Sequence, residues 1–374
     1  MAKAKKVKPP ADGMLQLQKN LIDQLNKGAK HKIAFDLSSD DDVSSIVTSF
    51  VSTGCWILDR AISNLRDEGG LPESRIVDIS GEYSAGKSLL VGAMAREAQL
   101  AGGMAIIIDT ERSIDKFFLQ NILGIDLEKL ILVQTKSLEV AFGVISQAAE
   151  TYKVKERSGP LVIAIDSMPG LMSNRMLALS DEDDFNAIMM YEAKKLGVLL
   201  NRSVNTISDQ KICMVCLGQA RDNIGGFSFG PKKKSTSGNQ LKHFTSVAVW
   251  LKRVGQIKNS NKDVLGVWVE AQIQKSNISP PFKRVQFPIF FSRGIDNCLA
   301  ELKYIETNGL CVKSGQTMTL TLAEESHKVT SRSWPDFYKQ NQEAIRNLIL
   351  DNLVTRQVED PSLDVVEEDE EDGS

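Results

Sequence analysis

Apolar and polar positions follow two different rhythms over residues 50–300. Runs that are apolar almost throughout occur at Arg75–Ser80, Met104–Asp109, Leu130–Gln134, Leu161–Asp166 and Ile212–Gly218. Between the early runs, at Ser88–Leu100 and Leu138–Lys153, apolar residues recur at helical spacing. Because continuously apolar strands are buried on both faces and helices connect parallel strands, the pattern predicts an α/β core with a mostly parallel central sheet.

The rhythm changes near residue 247. Val247–Lys252, Val264–Lys275 and Phe282–Phe291 are typical of strands joined by short turns, which predicts an antiparallel extension of the sheet. Residues 301–353 show a small hairpin-like stretch and then a mostly helical pattern, with an amphipathic helix inside Trp334–Leu353. We therefore predict a core at 50–300 and a small α+β C-terminal domain at 301–353.

The N-terminal segment has too few apolar residues to form a core of its own. Residues 14–25 predict an amphipathic helix, and Ile33, Phe35 and Leu37 alternate with polar residues as in a short strand. We expect residues 14–49 to dock on the core or on another molecule. Residues 1–13, which are rich in Lys and Pro, and residues 354–374 are predicted to be disordered tails.

Composition excludes several classes of protein. Apolar residues make up 42% of the 374, which is ample for a buried core and excludes global disorder. No stretch approaches the ~20 apolar residues that span a bilayer, and no apolar region follows the basic N-terminus as in a signal peptide. Five scattered cysteines do not make a disulfide scaffold, so we expect a reducing cytoplasm.

The net charge of −3 hides an uneven distribution of charge. Residues 357–374 hold nine acids and no Lys or Arg, so the rest of the chain has 45 Lys and Arg against 39 Asp and Glu, a net charge of +6. A basic body with an acidic tail makes nucleic acid a candidate partner, although many solvated surfaces carry such charge.

The most specific motif lies between a predicted strand and a predicted helix. It reads Gly81-Glu82-Tyr83-Ser84-Ala85-Gly86-Lys87-Ser88, continues with Leu89, and fits G-x-x-x-x-G-K-[ST]. The backbone N–H groups of such a loop and the helix N-terminus behind it bind phosphates. We expect Lys87 to reach the β- and γ-phosphates of a nucleotide and Ser88 to bind Mg²⁺.

Polar side chains end three further predicted strands. Asp166 follows an apolar strand, as in a Walker B motif, and is expected to orient Mg²⁺ beside the phosphate loop. Glu111 is a candidate base for the water that attacks the γ-phosphate, with a solvated loop acid as the alternative. Gln219 is a candidate contact to the γ-phosphate that reports its presence to the segment that follows.

That segment, from Asp222 to Gly238, is rich in glycine and contains Lys232, Lys233 and Lys234. A structureless stretch of this length inside a compact domain is usually functional or disordered. Its glycines and lysines favour a phosphate-binding loop over a passive insertion.

Two patterns that suggest a metal site fail. Cys213 and Cys216 lie inside an apolar strand, and an odd spacing of three places their sulfurs on opposite faces. The three histidines, His31, His243 and His327, do not cluster in the sequence. We therefore predict buried core cysteines and no metal site of this kind.

In their order and spacing, the motifs resemble the RecA family of strand-exchange recombinases, in its bacterial and phage forms including the UvsX group, over residues 14–353. Besides the phosphate loop, the resemblance rests on Ser52-Thr53-Gly54, Gly70-Leu71-Pro72, Asp109-Thr110-Glu111, Asp166-Ser167, Gly218-Gln219-Ala220-Arg221, Ser237-Gly238-Asn239-Gln240-Leu241-Lys242 and Pro281-Phe282-Lys283. It implies a RecA-like P-loop ATPase core that uses ATP and Mg²⁺, preceded by a helix-strand polymerisation segment.

The resemblance also implies roles for individual residues. Glu111 matches the catalytic glutamate and Gln219 the γ-phosphate-sensing glutamine, while Asp115 and Phe118 match positions that contact adenine. Residues of about 172–185 and 220–242 match a first and a second DNA-binding loop. The DNA contacts that the resemblance adds to the three lysines are Arg175, Met176, Arg221, Ile224, Gly238 and Asn239.

Two positions depart from the family pattern. The family places two basic residues, two apart, against the γ-phosphate of the neighbouring subunit, and here they are Lys275 and Asn277. Because an interfacial cation stabilises transition-state charge, the missing one predicts slower or differently coupled ATP turnover. His243 replaces an aromatic residue that links the nucleotide and DNA sites.

The resemblance implies a filament on single-stranded DNA, with ATP between subunits, that catalyses homologous pairing and strand exchange with duplex DNA. Single-strand-binding protein and loading factors are further partners that it suggests. Two alternatives stay open. One is a RecA-fold motor such as a ring helicase or a clock-type ATPase, and the other is a regulatory paralogue that binds ATP without turning it over, which Asn277 favours.

Overall fold

The computed structural model of the chain describes residues 11–28, 34–36, 47–63, 69–178, 185–222, 233–235 and 238–358. Two compact units make up the chain, one at residues 1–47 and one at residues 48–374. The predicted boundary near residue 300 lies inside the second unit and stays a prediction. In the described part of the chain, no helix is both long enough and apolar enough to cross a membrane.

The first unit contains helix α1, Ala11–Asn26, which confirms the helix predicted at 14–25 but begins inside the tail predicted at 1–13. Its five Met and Leu side chains at 14, 15, 17, 21 and 25 are exposed, with Leu17 at 67% and Leu21 at 56%, while Ile22 is half-buried. The Asn26 amide donates to the carbonyl of Ala34 at 2.8 Å and accepts from its N–H at 2.9 Å. Residues 34–36 form neither helix nor strand, and the rest of the strand predicted at Ile33–Leu37 lies outside the described residues.

The second unit alternates strands with helices over its first half. Its strands are β1 Phe50–Val51, β2 Leu71–Pro72, β3 Arg75–Gly81, β4 Met104–Asp109, β5 Leu130–Gln134, β6 Leu161–Asp166, β7 Ile212–Asp222, β8 Lys233–Ser235, β9 Thr245–Lys258, β10 Val264–Ser276, β11 Arg284–Phe290, β12 Gly294–Ile295, β13 Val312–Ser314, β14 Thr317–Leu322 and β15 Glu325–Thr330. Its helices are α2 Trp56–Ser63, α3 Lys87–Leu100, α4 Leu138–Thr151, α5 Asn174–Leu177, α6 Phe185–Asp209, α7 Gly238–Phe244, α8 Asn297–Thr307 and α9 Trp334–Val358.

The central sheet has the strand order β12-β11-β10-β9-β3-β7-β6-β4-β5, and β8 pairs with β7 beside this path. The six strands from β9 to β5 are parallel, whereas β10, β11 and β12 add antiparallel strands at one edge. This confirms the predicted α/β class, the mostly parallel sheet and its antiparallel extension. Strand β3 therefore lies inside the sheet, with parallel neighbours on both sides.

Two hydrophobic cores cover the two faces of the sheet. Alternate residues of one strand serve opposite faces, so that Ile107 belongs to the core with helix α3 and Ile108 to the core with helices α4 and α6. Cys213 lies in the first core and Cys216 in the second, both fully buried. The prediction that these cysteines point to opposite faces is therefore confirmed, and burial raises the pKa of both thiols.

The C-terminal part has a different element order from the predicted one. Helix α8 comes before the antiparallel sheet β13-β14-β15, and α9 follows it, whereas the sequence predicted the hairpin first. Trp334 is fully buried at the start of α9 and donates to the Cys298 carbonyl at 2.9 Å. Buried Glu301 of α8 accepts from Tyr338 at 2.9 Å and pairs with Arg346 at 3.0 Å, which ties α8 to α9.

Candidate nucleotide-binding site

The polar residues that the sequence placed at strand ends meet at one edge of the parallel sheet. Gly81 at the end of β3 lies opposite Gln219 of β7, and Asp109 of β4 lies opposite Asp166 of β6. Ligands of open α/β sheets bind outside the carboxyl ends of the strands. The order of strands therefore collects the phosphate loop, the acids and the glutamine at one place.

The phosphate loop requires glycine at both of its fixed glycine positions. Gly86 has a φ of +81°, and a Cβ there would lie 2.4 Å from Cδ1 of Ile289. A Cβ on Gly81 would lie 2.2 Å from the carbonyl oxygen of Leu251 on β9. The Leu251 carbonyl leaves no room for a Cβ at Gly81, and the positive φ at Gly86 strains any other residue, so the backbone itself forms the concave loop before α3.

Lys87 folds back over this loop. Its ammonium group donates to the carbonyl of Gly81 at 2.9 Å and to that of Glu82 at 2.7 Å. Burial lowers the pKa of Lys87, while the charges of Asp166, Glu111 and Glu82 act in the opposite direction. A phosphate anion in the loop would strengthen the charged form of this lysine.

Ser88 and Asp166 lie together at the start of α3 and the end of β6. The pKa of Asp166 is raised mainly by burial, and the charges of Glu111 and Asp109 raise it further. A hydrogen bond from Ser88 and the charge of Lys87 oppose this rise. One hydroxyl beside a buried carboxylate fits Mg²⁺, which keeps most of its water ligands and binds substrate phosphates.

Glu111 carries two hydrogen bonds on one oxygen. Its Oε1 accepts from the hydroxyl of Ser167 at 2.7 Å and from the amide Nε2 of Gln219 at 2.8 Å. The other end of that amide, Oε1 of Gln219, accepts from the hydroxyl of Tyr83 at 3.3 Å. A continuous chain of side chains therefore joins the phosphate loop to Glu111 through Gln219.

The turn that carries Glu111 is held by two buried neighbours. The Asp109 carboxylate is fully buried and accepts from the N–H groups of Glu111 at 3.2 Å and Ser113 at 3.3 Å. The Thr110 hydroxyl accepts from the N–H of Ser167 at 2.9 Å. No role for Asp109, Thr110 or Ser167 was visible in the sequence. The only signal was that they belong to Asp109-Thr110-Glu111 and Asp166-Ser167, two of the stretches that carry the resemblance.

A cavity of about 560 Å³ opens beside the loop. Ser88 and Asp166 line it together with Asp115 and Phe118, the two positions that the resemblance assigned to adenine. The Asp115 carboxylate accepts from the N–H of Phe118 at 2.7 Å, which fixes the turn between them. The remaining lining residues are largely apolar, namely Val91, Ile107, Ser113, Ile114, Phe117, Leu119 and Ile122.

The family described as the RecA N-terminal domain matches residues 18–296. The chain belongs to the RecA family. The resemblance drawn from the motifs is thereby confirmed, and RecA-family membership favours a nucleotide-binding recombinase over a ring motor.

Curated relatives match almost the whole RecA-family chain. Protein RecA of Cytophaga hutchinsonii is 30% identical over 353 residues, which cover 94% of this chain and 90% of the relative. Protein RecA of Sinorhizobium fredii is 30% identical over 316 residues, covering 83% and 82%. Protein RecA of Nautilia profundicola is 29% identical over 343 residues, covering 90% and 91%.

The predicted first DNA loop, at about 172–185, is partly helical. Arg175 and Met176 belong to the short helix α5, whose N-cap Ser173 is bound by Glu192 of α6. The Arg175 guanidinium lies 5.2 Å from the ring centre of Tyr191, which is on α6. Residues 179–184 lie outside the described residues, and α6 begins at Phe185.

The second predicted loop is more ordered at its ends than the sequence indicated. Strand β7 continues past Gln219 to Asp222 and pairs with β8, so that Arg221 lies opposite Lys234 and Asp222 opposite Lys233. Gly238 and Asn239 begin helix α7. Ile224 and Lys232 lie outside the described residues. Strand β7 is longer than predicted because its backbone pairs with β8. The glycine-rich composition of the segment did not indicate this pairing.

Lys275 lies away from the phosphate loop of its own chain. Ala271 of β10 pairs with Leu251, which is level with Gly81, and Lys275 is four residues further along β10. Four extended residues span about 13 Å, directed away from the loop. The Lys275 ammonium instead donates to the Lys242 carbonyl of α7 at 3.0 Å, and His243 beside it is exposed.

Proposed function

We propose that the chain is an ATP-dependent recombinase that assembles as a filament on single-stranded DNA and exchanges its strand with homologous duplex DNA. The observation that carries the proposal is the hydrogen bond of 2.8 Å from Gln219 to Glu111 in a RecA-family chain. It joins a candidate base for ATP hydrolysis to the strand that leads into loop 220–242. DNA binding and hydrolysis are therefore linked through one side chain.

ATP occupies the cleft between the phosphate loop and the cavity beside it. The loop from Gly81 to Ser88 and the N-terminus of α3 bind the phosphates, and Phe118 packs against the base. Lys87 exchanges its two carbonyl contacts for phosphate oxygens. Ser88 and Asp166 would hold Mg²⁺, and the bound ion would supply positive charge to the phosphates.

Glu111 accepts a proton from the water that attacks the γ-phosphate. Gln219 turns from Glu111 to the γ-phosphate when ATP is present, since both groups accept a hydrogen bond from its Nε2. That turn moves the end of β7, and with it the segment that carries Arg221 and the three lysines. The γ-phosphate thereby controls the DNA-binding loop.

The nucleotide also joins neighbouring subunits. Lys275 lies too far from its own phosphate loop to contact the same nucleotide, so it acts on the nucleotide of the next subunit. A cation there stabilises charge in the transition state. Because Asn277 stands at the second position, one cation per interface does this work, and turnover is slower than with two.

Phosphate contacts supply most of the affinity for DNA. Lys232, Lys233 and Lys234, with Arg175 and Arg221, provide the positive charge of the two loops. Such binding weakens steeply with salt and is largely independent of sequence. Base pairing between the bound strand and an incoming duplex then supplies recognition of homology.

Electron microscopy of the full chain with single-stranded DNA and a non-hydrolysable ATP analogue tests the assembly. The expected result is a helical filament that requires both the DNA and the nucleotide. Closed rings would contradict it and favour a motor. Filaments without DNA-stimulated ATP hydrolysis would favour the regulatory paralogue that Asn277 suggests.

Removal of residues 357–374 is expected to strengthen binding to duplex DNA. Nine negative charges leave while the rest of the chain keeps its net charge of +6. We expect affinity to rise about threefold or more at low ionic strength and the gain to shrink as salt is added. Fluorescence anisotropy with a labelled duplex measures both.

A length-matched control separates charge from bulk in this experiment. Replacing the nine acids with Asn and Gln keeps the tail but removes its charge, and it should reproduce the effect of truncation. Equal affinity of all three proteins at low salt would sink the idea. A gain on truncation alone would show that the tail acts by its bulk.

A further inference from the structure

Tyr83 lies in the phosphate loop, which binds phosphate through backbone N–H groups. The side chain of Tyr83 is not needed for that binding. It is 73% exposed, so it does not pack in a core. Its hydroxyl instead donates to Oε1 of Gln219 across 136 positions of sequence. We propose that Tyr83 is a positioning residue that holds Gln219 in its resting orientation against Glu111, an inference that rests on the proposed function.

The position of Tyr83 follows from the register of the sheet. Gly81 lies opposite Gln219 on the neighbouring parallel strand, and Tyr83 follows Gly81 by two residues in the loop. The ring therefore stands above the end of β7, where its hydroxyl reaches a side chain rather than a phosphate. Its loop neighbours are used differently, since the Glu82 carbonyl binds Lys87 and Ala85 is fully buried.

The hydrogen bond from Tyr83 fixes which end of the Gln219 amide faces Glu111. A hydroxyl donor on Oε1 leaves the Nε2 donor directed at the Glu111 carboxylate, 2.8 Å away. A γ-phosphate oxygen competes for this same donor, because carboxylate and phosphate are both anionic acceptors. Tyr83 thus adds to the stability of the resting arrangement and contributes nothing to the γ-phosphate-bound one.

The resting arrangement occupies one oxygen of the base. Oε1 of Glu111 already accepts from Ser167, and the amide of Gln219 fills its second lone-pair direction. Departure of Gln219 frees that direction for the attacking water. With ATP bound but no DNA, Gln219 still exchanges between Glu111 and the γ-phosphate. Loss of the Tyr83 hydroxyl therefore increases the fraction of time in which this position is open, and it raises ATP turnover in the absence of DNA.

Tyr83→Phe removes the hydroxyl and keeps the ring. We expect its kcat for ATP, measured without DNA, to rise about threefold. An ordinary hydrogen bond of about 1 kcal/mol corresponds to a factor of roughly five, and this bond is weaker because it is exposed. The factor by which single-stranded DNA stimulates hydrolysis falls accordingly. KM for ATP is expected to fall by no more than the same factor, since loss of the hydroxyl favours the orientation in which Gln219 contacts the γ-phosphate. Tyr152→Phe, at the C-terminal end of α4, is the matched control.

A double-mutant cycle shows whether Tyr83 acts through Gln219. DNA-free kcat is measured for the full chain, Tyr83→Phe, Gln219→Ala and the double variant. In the Gln219→Ala background the second change is expected to have no effect. An equal effect in both backgrounds would show that Tyr83 works through another group and would overturn the inference, as would an unchanged or lowered kcat of Tyr83→Phe alone.

The unsubstituted chain separates this inference from the proposed function. If it hydrolyses ATP and DNA stimulates it, the proposed function stands and the cycle decides the role of Tyr83. If DNA does not stimulate it, the proposed function fails first. In that case a threefold rise in Tyr83→Phe that vanishes with Gln219→Ala still supports the role of Tyr83 in ATP turnover, and its absence overturns it.

Discussion

Replacing Lys87 with alanine is expected to lower ATP hydrolysis by at least about 10³-fold, both with and without DNA. The ammonium group lies within 2.9 Å of two loop carbonyls, so it stands where phosphate oxygens enter. The positive charge of Lys87 interacts favourably with the negative charges of Asp166, Glu111 and Glu82. Alanine removes this charge from the site where negative charge develops in the transition state.

The loss is expected in catalysis and in phosphate binding together. Steady-state hydrolysis and titration with a fluorescent ATP analogue measure the two effects separately. Lys153→Ala removes an exposed lysine that pairs with Glu156 at 3.8 Å on the surface, and it should hydrolyse ATP like the unsubstituted chain. A Lys87→Ala protein that keeps more than about a tenth of the activity would show that the loop is not the catalytic phosphate site.

Much of the core follows from hydrophobic patterning alone. The apolar runs predicted at Met104–Asp109, Leu130–Gln134 and Leu161–Asp166 have the bounds of β4, β5 and β6. Strands β4 and β6 are buried on both faces and need apolar residues along their whole length, so their limits are visible in sequence. The edge strand β5 is partly exposed, and its bounds follow from its apolar run without burial on both faces. The opposite orientation of Cys213 and Cys216 followed from the same two-residue period.

Other elements depend on partners that are distant in sequence. The helix α6 starts at Phe185, where the sequence predicted the end of a DNA-binding loop, and it packs Leu200 and Ile207 into the second core. Strand β7 runs on to Asp222 because β8 pairs with it. Local composition does not indicate such a partner, so the length of the strand depends on tertiary contacts.

The candidate site shows the same division. Motif spacing identified Lys87, Ser88 and Asp166, because each follows directly from a strand end or a helix start. The contacts of Tyr83 and Ser167 could not be predicted, since they join strand ends through the sheet order. Roles that depend on one residue's chemistry are visible in sequence, whereas roles that depend on a contact require the fold.

Replacing Glu111 with glutamine is expected to slow ATP hydrolysis by about 10²–10⁴-fold, the usual contribution of a general base. Glutamine has nearly the same shape, and its carbonyl oxygen accepts the hydrogen bonds that Ser167 and Gln219 now make at 2.7 and 2.8 Å. The resting arrangement therefore survives, while the ability to take a proton from water is lost.

Binding should consequently remain intact in Glu111→Gln. Affinity for an ATP analogue, and for single-stranded DNA in its presence, is expected to match that of the unsubstituted chain, which sets this variant apart from Lys87→Ala. Glu128→Gln changes another exposed acid, in the short turn before β5, and serves as the matched control.

Hydrolysis by Glu111→Gln at the unsubstituted rate would exclude Glu111 as the base. The buried Asp109 carboxylate is a poor substitute, because backbone N–H groups already occupy it. The attacking water would then have to be activated without a protein carboxylate from this turn.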